Sequence, residues 1–258
     1  KLVNYLDLFR TNFNKKDIRL KIKTENNFPT AAGLASSASG FSALAIALAE
    51  IFELKLSEKE LSIYARLGSG SACRSIYGGF VEWEKGKLYD GSDSHAVQIV
   101  DENYWDVKML VTVLEDKKKD KSSTDGMAET VNTCPFYPAW LSSIEKDLNE
   151  VRSGILERDF EKVGKVMEAN CLKMHATMMT TQPSIIYWKP ATLEIIHKVI
   201  ELRKEGLECY FTIDAGPNVK VLCTLKDFKK VQSKLLEINS IKEIISSKVG
   251  SKPLIIKN

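Results

Sequence analysis

The stretch NNFPTAAGLASSASG, residues 26–40, organises the chain around it. The residues before it, 18–24, alternate between apolar and polar side chains, and this alternation predicts a strand. The residues after it carry apolar side chains at helical spacing, which predicts a helix beginning at Ser36 or Ser37. A loop of small residues between a strand and a helix N-terminus forms a cradle for an anion, because backbone N–H groups and the positive end of the helix dipole face the loop.

Two hydroxyl side chains, Ser37 and Ser39, lie near the start of the predicted helix. They are candidate donors to a phosphate or ligands for magnesium. The same residues are typical of an ordinary N-capped helix that follows a loop. Residue types alone therefore leave an anion site and a simple helix cap both open.

The loop lacks the G-x-x-x-x-G-K-[ST] pattern of P-loop nucleotide hydrolases and the G-x-G-x-x-G pattern of Rossmann folds. It resembles instead the P-x-x-x-G-L-x-S-S-A phosphate loop of the GHMP small-molecule kinases, and within that superfamily the diphosphomevalonate decarboxylases. The resemblance implies that this loop binds ATP through its phosphates, with Ser37 as a ligand of Mg²⁺. The implied phosphate-binding residues are Ala32, Gly33, Leu34, Ala35, Ser36 and Ser37.

Composition limits the classes of function. A chain of 258 residues with 44% hydrophobic residues can bury a substantial core in one large or two modest domains. A net charge of +3 is too small to indicate a nucleic-acid partner, and no apolar run indicates a membrane span or a secretory signal. Five scattered cysteines without C-x-x-C spacing predict reduced thiols and a cytoplasmic location. Three distant histidines form no ligand pattern, so no metal cage of side chains is expected.

Arg74 follows a second run of small residues, GSGSACRS at 68–75. Hydroxyl groups around one guanidinium suit bidentate recognition of a carboxylate or a phosphate. From the residues alone, a Gly/Ser turn with a surface arginine is the simpler interpretation. The longer segment GSGSACRSIYGGFVEW, residues 68–83, resembles the decarboxylase family. That resemblance implies that Ser69, Ser71 and Arg74 contact substrate, with Arg74 on the carboxylate that is lost as CO2.

Asp214 lies in YFTIDAGPNVKVLC, residues 210–223, where two predicted strands flank a tight turn at Gly216. Spacing alone favours a hairpin whose aspartate organises the turn. The segment DAGPN, however, resembles a diagnostic segment of the family, which implies that Asp214 faces the substrate hydroxyl as a base or as an orienting group.

Two further segments resemble the family. KKDKSSTDGM, residues 118–127, is similar to a segment that lines the diphosphate site, which implies a substrate contact at Ser123. LKMHATMMTTQPSIIYW, residues 172–188, contains His175. A functional role for this histidine and a structural role at a helix end both stay open.

The remaining sequence predicts mainly helices. A capping box at Ser57 and Glu60 starts one helix. Apolar spacing predicts further helices at about 2–13, 137–152, 158–176, 189–205 and 225–238, and short strands at about 78–84, 107–114, 241–245 and 254–256. The change from glycine-rich loops to long amphipathic helices predicts a boundary near residue 116, between an N-terminal domain at 1–115 and a C-terminal domain at 116–258.

The resemblance implies an α+β, two-domain GHMP kinase fold. The N-terminal domain would be like ribosomal protein S5 domain 2 and the C-terminal domain would be ferredoxin-like. The family also carries N-terminal strands before the point at which this chain begins, one of which touches substrate, so contacts from that strand are not assigned.

The implied reaction is the ATP- and Mg²⁺-dependent decarboxylation of mevalonate 5-diphosphate to isopentenyl diphosphate, with ADP, phosphate and CO2, in isoprenoid biosynthesis. A homodimer is the usual assembly of the family. A phosphomevalonate decarboxylase and a mevalonate-type GHMP kinase without decarboxylation are the nearest alternatives, and a non-catalytic nucleotide-binding module is a third. Retention of both Arg74 and Asp214 favours the decarboxylase, because a kinase needs no clamp for a carboxylate and a binding module needs no aspartate.

Overall fold

The computed structural model describes residues 1–28, 34–114 and 122–256. Within these ranges the chain forms two compact units. The first unit comprises residues 1–28, 35–104 and 250–256, and the second comprises residues 34, 105–114 and 122–249. The domain boundary predicted at residues 115 and 116 lies outside the described residues and stays a prediction.

Helices dominate the first unit. Its elements are α1 (Leu2–Asn12), α2 (Ser36–Ile51), α3 (Glu58–Gly68), a 3-10 helix (Gly70–Ile76) and the antiparallel strands β1 (Phe80–Trp83) and β2 (Ala96–Val100). The helices share one buried cluster, whose largest fully buried members are Phe9, Leu48, Phe52 and Ile76. The predicted capping box is confirmed, because the Ser57 hydroxyl accepts from the Glu60 N–H at 3.3 Å and the Glu60 carboxylate accepts from the Ser57 N–H at 2.8 Å.

A buried serine joins three elements of the first unit. The Ser62 hydroxyl on α3 donates to the carbonyl of Cys73 at 3.1 Å and accepts from the backbone N–H of Ala96 at 2.8 Å. Buried backbone groups need such partners, since an unpaired one costs about as much as a lost hydrogen bond. The 3-10 helix that carries Arg74 is therefore fixed against both α3 and β2.

The second unit combines an antiparallel sheet with helices. The sheet has the order β4, β5, β3, β6, with β3 (Val107–Val113), β4 (Cys209–Ile213), β5 (Val219–Thr224) and β6 (Glu243–Lys248). The helices are α4 (Ser123–Thr133), α5 (Tyr137–Glu157), α6 (Phe160–Met179), α7 (Pro190–Lys204) and α8 (Phe228–Leu235).

The core of the second unit lies between its sheet and its helices. Leu110 of β3, Phe211 of β4 and Val221 of β5 are buried in one cluster with Ile195 and Val199 of α7. Full burial of a large apolar side chain contributes about 1.5–3 kcal/mol each. The sheet register is thereby fixed, because a slip by one residue would expose this whole row.

Two predicted strands are wrong. Residues 18–24 and 254–256 have no regular secondary structure. A strand needs a neighbour for its backbone groups, and within the described ranges no strand pairs with either segment. Leu20 and Ile22 nevertheless pack against the cluster of the first unit. The alternation thus indicates one buried face and not a paired strand. Sequence patterns did not predict β2 or α4, and the predicted last helix, 225–238, is longer than α8.

Glu168 on α6 closes the outer edge of β4. Its carboxylate accepts from both terminal nitrogens of Arg203 on α7, at 2.7 and 3.1 Å, and from the backbone N–H of Phe211 at 2.9 Å. Arg203 also donates to the carbonyl of Cys209 at 2.9 Å and lies 4.4 Å from the ring centre of Tyr210. An edge strand exposes unpaired backbone groups, and here a bidentate ion pair covers them.

We expect Glu168→Ala to lower the free energy of unfolding by about 2–3 kcal/mol, because it leaves a guanidinium and a backbone N–H without their acceptor. Urea denaturation monitored by circular dichroism measures the change. Glu161→Ala, on the same helix, is the matched control: its ion pair with Lys165 is solvent-exposed, so its removal should change stability little. Equal losses in the two variants would contradict a special role for Glu168.

Candidate active site

The helix that follows the small-residue loop begins at Ser36, as predicted. The alternative of an ordinary serine cap does not hold, because the N-cap residue is Ala35, in the left-handed conformation with φ 55° and ψ 31°. Among the described residues no side chain caps the first turn of α2. Of the other predicted phosphate-binding residues, Leu34 is half-buried, whereas Ala32 and Gly33 lie outside the described residues.

Hydroxyl groups from the loop segment 26–40 and from the small-residue run 68–75 meet at the start of α2. The Ser37 and Ser69 hydroxyl oxygens lie 3.1 Å apart and face solvent. The Ser39 hydroxyl instead donates to the carbonyl of Ser36 at 3.1 Å, within its own helix. Ser37 and Ser69 are therefore available for an anion or a cation, and Ser39 is not directed towards that position.

Arg74 projects from a helical turn whose opposite face is buried. Ala72, Cys73 and Ile76 of the 3-10 helix are buried, whereas Arg74 is exposed and forms no ion pair with any described residue. Ser71 lies three residues before Arg74, a spacing that places both on one side of a 3-10 helix. Burial raises the pKa of the Cys73 thiol, so this cysteine is a packing residue and not an activated nucleophile.

Arg74 lines an open cleft of about 330 Å³ in the first unit. Tyr77, Gly79 and Ser251 also line this cleft. Gly79 has φ 78°, and its N–H donates to the carbonyl of Gly250 at 2.8 Å. A Cβ at this position would overlap the carbonyl oxygen of Val100, so only glycine fits this closely against the end of β2. Ser69 and Ser71 do not line the cleft.

Asp214 follows the last residue of β4, and its carboxylate is largely exposed. Its Oδ2 lies 2.6 Å from Nζ of Lys220 on β5. The side chain of Lys220 is only 13% exposed, compared with 57% for Asp214. Lys220 was not among the site residues predicted from the sequence. The sequence places Lys220 six residues after Asp214, in the next predicted strand. Whether the two side chains meet depends on the register between β4 and β5.

The turn after Asp214 is held by neighbouring elements. The buried Asn218 accepts from the backbone N–H of Leu114 at 2.9 Å through its side-chain oxygen. Thr192, at the start of α7, donates its hydroxyl to the carbonyl of Pro217 at 2.8 Å. The N–H of Gly216 donates to the carbonyl of Asp214 at 2.7 Å. The DAGPN segment is thus a rigid turn, and the side chain of Asp214 does not organise it through any of these bonds.

His175 and Cys171, both on α6, bind the residue before Asp214. The Ile213 N–H donates to Sγ of Cys171 at 3.1 Å, and Nε2 of His175 lies 3.0 Å from the Ile213 carbonyl. A carbonyl only accepts, so Nε2 carries the proton. Burial lowers the pKa of His175 and raises that of Cys171 to about 11, so both are neutral near pH 7. His175 therefore supports the turn structurally.

Ser123 is the first residue of α4. Ser122 caps this helix, with its hydroxyl accepting from the Asp125 N–H at 3.1 Å. At the other end of the helix, Thr130 and Thr181 share a buried hydroxyl contact of 2.9 Å. Ser123 thus lies at a fixed helix N-terminus, a location that favours anions. Lys117, Lys118 and Lys119 lie outside the described residues.

In the part of the chain that the structure describes, no three His, Cys, Asp or Glu side chains group as a metal ligand set. Within residues 1–28, 34–114 and 122–256, the helices are too short or too polar to cross a bilayer.

Comparison with known proteins covers both units. Residues 1–96 match the diphosphomevalonate decarboxylase-like N-terminal domain, and residues 109–256 match the mevalonate 5-diphosphate decarboxylase C-terminal domain. The solved structure of mevalonate diphosphate decarboxylase from Staphylococcus aureus matches with a TM-score of 0.91 and 41% identity, covering 97% of this chain and 75% of that one. The structure of MDDEF in complex with MVAPP, AMPPCP and magnesium matches with a TM-score of 0.86 and 41% identity, covering 97% and 76%.

Among curated proteins, the diphosphomevalonate decarboxylase of Saccharomyces cerevisiae is 45% identical over 205 residues, which are 78% of this chain and 52% of that protein. The chain spans 54% and 61% of two further curated relatives, so it corresponds to little more than half of their length. The structural matches confirm the predicted α+β, two-domain fold of the GHMP kinase superfamily. Within it, the chain belongs to the diphosphomevalonate decarboxylase family.

The buried His175 predicts a pH-dependent stability. Its folded-state pKa is lower than the ordinary 6.5, so the unfolded chain takes up the proton first. The contribution of His175 is complete above pH 6.5. It should fall by up to about 1.4 kcal/mol per pH unit below that value, until the pH passes the folded-state pKa.

Urea denaturation between pH 5 and pH 8 measures this dependence. His175→Gln keeps a donor for the Ile213 carbonyl and should flatten the curve. His197→Gln, at an exposed position of α7, is the control and should retain the wild-type curve. A curve that is unchanged in His175→Gln would contradict the assignment.

Proposed function

We propose that the protein catalyses the ATP-dependent decarboxylation of mevalonate 5-diphosphate to isopentenyl diphosphate, ADP, phosphate and CO2. The observation that carries the proposal is the exposed guanidinium of Arg74, which forms no ion pair with a described residue, in a chain that also keeps an exposed aspartate at position 214. A kinase needs the aspartate alone. A decarboxylase also needs a cation for the carboxylate that leaves.

The start of α2 fits the phosphates of ATP. Its first turn has no side-chain cap among the described residues, its residues are small, and the hydroxyls of Ser37 and Ser69 face solvent together. Backbone N–H groups at such a helix end attract anions. We assign phosphate binding to residues 32–37, with Ser37 as a magnesium ligand; bound Mg²⁺ neutralises charge that develops on the phosphates. The similar protein MDDEF has been solved in complex with MVAPP, AMPPCP and magnesium, which supports a reaction that uses ATP and Mg²⁺.

Asp214 and Arg74 have different tasks in the proposed reaction. Asp214 orients the tertiary hydroxyl of the substrate and takes its proton as that oxygen accepts the γ-phosphoryl group and ADP leaves. Arg74 holds the neighbouring carboxylate, and Ser69, Ser71 and Ser123 contribute hydrogen bonds to the substrate.

Phosphorylation precedes decarboxylation because hydroxide is a poor leaving group and phosphate is a good one. When phosphate departs with its bonding electrons, the carbon becomes electron-poor. The electron pair of the adjacent bond to the carboxylate then forms the double bond of the product, and CO2 leaves. The cleft beside Arg74 supplies space for that carboxylate.

The proposal extends to the setting of the protein. All five cysteines are free and buried, which supports a cytoplasmic protein with reduced thiols. We also infer a homodimer, as expected for the family.

Product analysis of the full-length protein tests the reaction. With ATP and mevalonate diphosphate, CO2, phosphate and ADP should appear in equal amounts. ADP without CO2 would indicate a kinase. Faster turnover of the monophosphate would indicate a phosphomevalonate decarboxylase.

We expect Asp214→Asn to lower kcat by about 10²–10⁴-fold, because it removes the group that takes the proton. Substrate affinity should change little, since other residues hold the diphosphate and the carboxylate. Arg74→Lys keeps the charge but loses the bidentate geometry, so it should raise KM and lower kcat together.

Calorimetric binding of mevalonate diphosphate and single-turnover release of ADP and CO2 separate the two roles. If Asp214→Asn phosphorylates at the wild-type rate, the aspartate is not the base. If Arg74→Lys leaves KM unchanged, the arginine does not hold the carboxylate.

Ser37→Ala should lower kcat/KM for ATP by about 10–100-fold, the effect of one hydrogen bond to a charged group. Initial rates at limiting ATP and Mg²⁺ measure the change. Ser39→Ala is the matched control, because its hydroxyl bonds to its own helix. A rate for Ser37→Ala equal to that of the control would reject the assignment.

A further inference from the structure

We propose that Lys220 is a positioning residue for Asp214: its ammonium group fixes one carboxylate oxygen and leaves the other for the substrate hydroxyl. This inference rests on the proposed catalytic role of Asp214. It concerns a residue two positions beyond the DAGPN segment, to which the resemblance assigned no role.

The first observation is the contact itself. Nζ of Lys220 lies 2.6 Å from Oδ2 of Asp214, a short distance for a charge-assisted hydrogen bond. Of the two carboxylate oxygens of Asp214, Oδ2 is the one that accepts from this ammonium group. Oδ1 is therefore the oxygen left to accept a hydrogen bond from a substrate hydroxyl.

The second observation is the burial of the lysine. Lysine side chains are usually exposed, yet only 13% of the Lys220 side chain is accessible. Most exposed ion pairs contribute little, because two long side chains must be ordered. In Lys220 the stem is already ordered by burial, so the ammonium group has few alternative positions.

The third observation is the rigidity of both partners. Lys220 lies in a strand between two neighbours, paired with Thr212 of β4 and with Val111 of β3. Asp214 directly follows Ile213, whose N–H and carbonyl both bond to α6. The sheet and α6 together therefore set the separation between the two charged groups.

Two titratable side chains among the described residues lie near this ion pair, and neither carries a charge that would compete for it. His175 and Cys171 of α6 lie within electrostatic reach of both Asp214 and Lys220. Burial keeps both neutral near pH 7, because it lowers the pKa of the histidine and raises that of the cysteine. Lys220 is therefore the positively charged partner of Asp214 in this group of side chains.

The experiment is a double-mutant cycle in the full-length protein. Lys220→Met keeps the apolar stem and removes the charge. It should lower kcat by about 10–100-fold, the effect of one hydrogen bond between charged groups. KM for mevalonate diphosphate should stay within about threefold, since Lys220 does not contact substrate. In the Asp214→Asn background, the same substitution should change kcat by less than about threefold, because the group it positions is already gone.

Lys173→Met is the matched control. Lys173 is another partly buried lysine of the second unit, and its Nζ lies 2.8 Å from Asp147. Its loss should affect unfolding by urea but not kcat. If Lys220→Met does not fold, Lys220→Gln takes its place in the cycle.

The outcomes separate the two proposals. Wild-type kcat in Lys220→Met overturns the inference. An equal loss of kcat in both backgrounds also overturns it, because Lys220 then acts independently of Asp214, while the catalytic role of Asp214 survives. Wild-type kcat in Asp214→Asn overturns the catalytic role itself, and the inference fails with it.

Discussion

Two hydrogen bonds from α6 to the backbone of Ile213 determine the geometry of the candidate site in the second unit. A cysteine sulfur accepts the N–H of this residue, and a neutral histidine donates to its carbonyl. Both partners are buried, so the two bonds lie away from water, where the loss of a hydrogen-bond partner is costly. The end of β4 is consequently held in one position. This fixes the backbone from which the side chain of Asp214 extends.

Further polar contacts hold the structure around the end of β4. Asn218 and Thr192 hold the turn with side chains that come from the turn itself and from α7. Glu168 and Arg203 cover the open edge of β4. The carboxylate of Asp214 is exposed, whereas the polar groups around it are hydrogen-bonded to one another. This exposure suits a group that must exchange a proton with a substrate.

Local patterns were sufficient to predict the features that depend on neighbours in the chain. The capping box at Ser57 and the start of α2 follow from a few adjacent residues. The sequence could not predict features that depend on distant partners. The strand at 18–24 fails because pairing requires a second strand. Residue types left a serine cap and an anion site both open at the start of α2, and the backbone at Ala35 excludes the serine cap. Lys220 was missed because only the register of β4 and β5 brings it to Asp214. His175 was left open because its role follows from a carbonyl 38 residues away in the chain.

Because every cysteine is buried, the reactivity of the thiols reports local opening of the structure. A thiol-reactive reagent gains access only when the surrounding structure opens. Cys73 belongs to the first unit and Cys134, Cys171, Cys209 and Cys223 belong to the second. Mass spectrometry of the labelled thiols can therefore follow the opening of each unit separately, in the natural sequence and without an introduced probe.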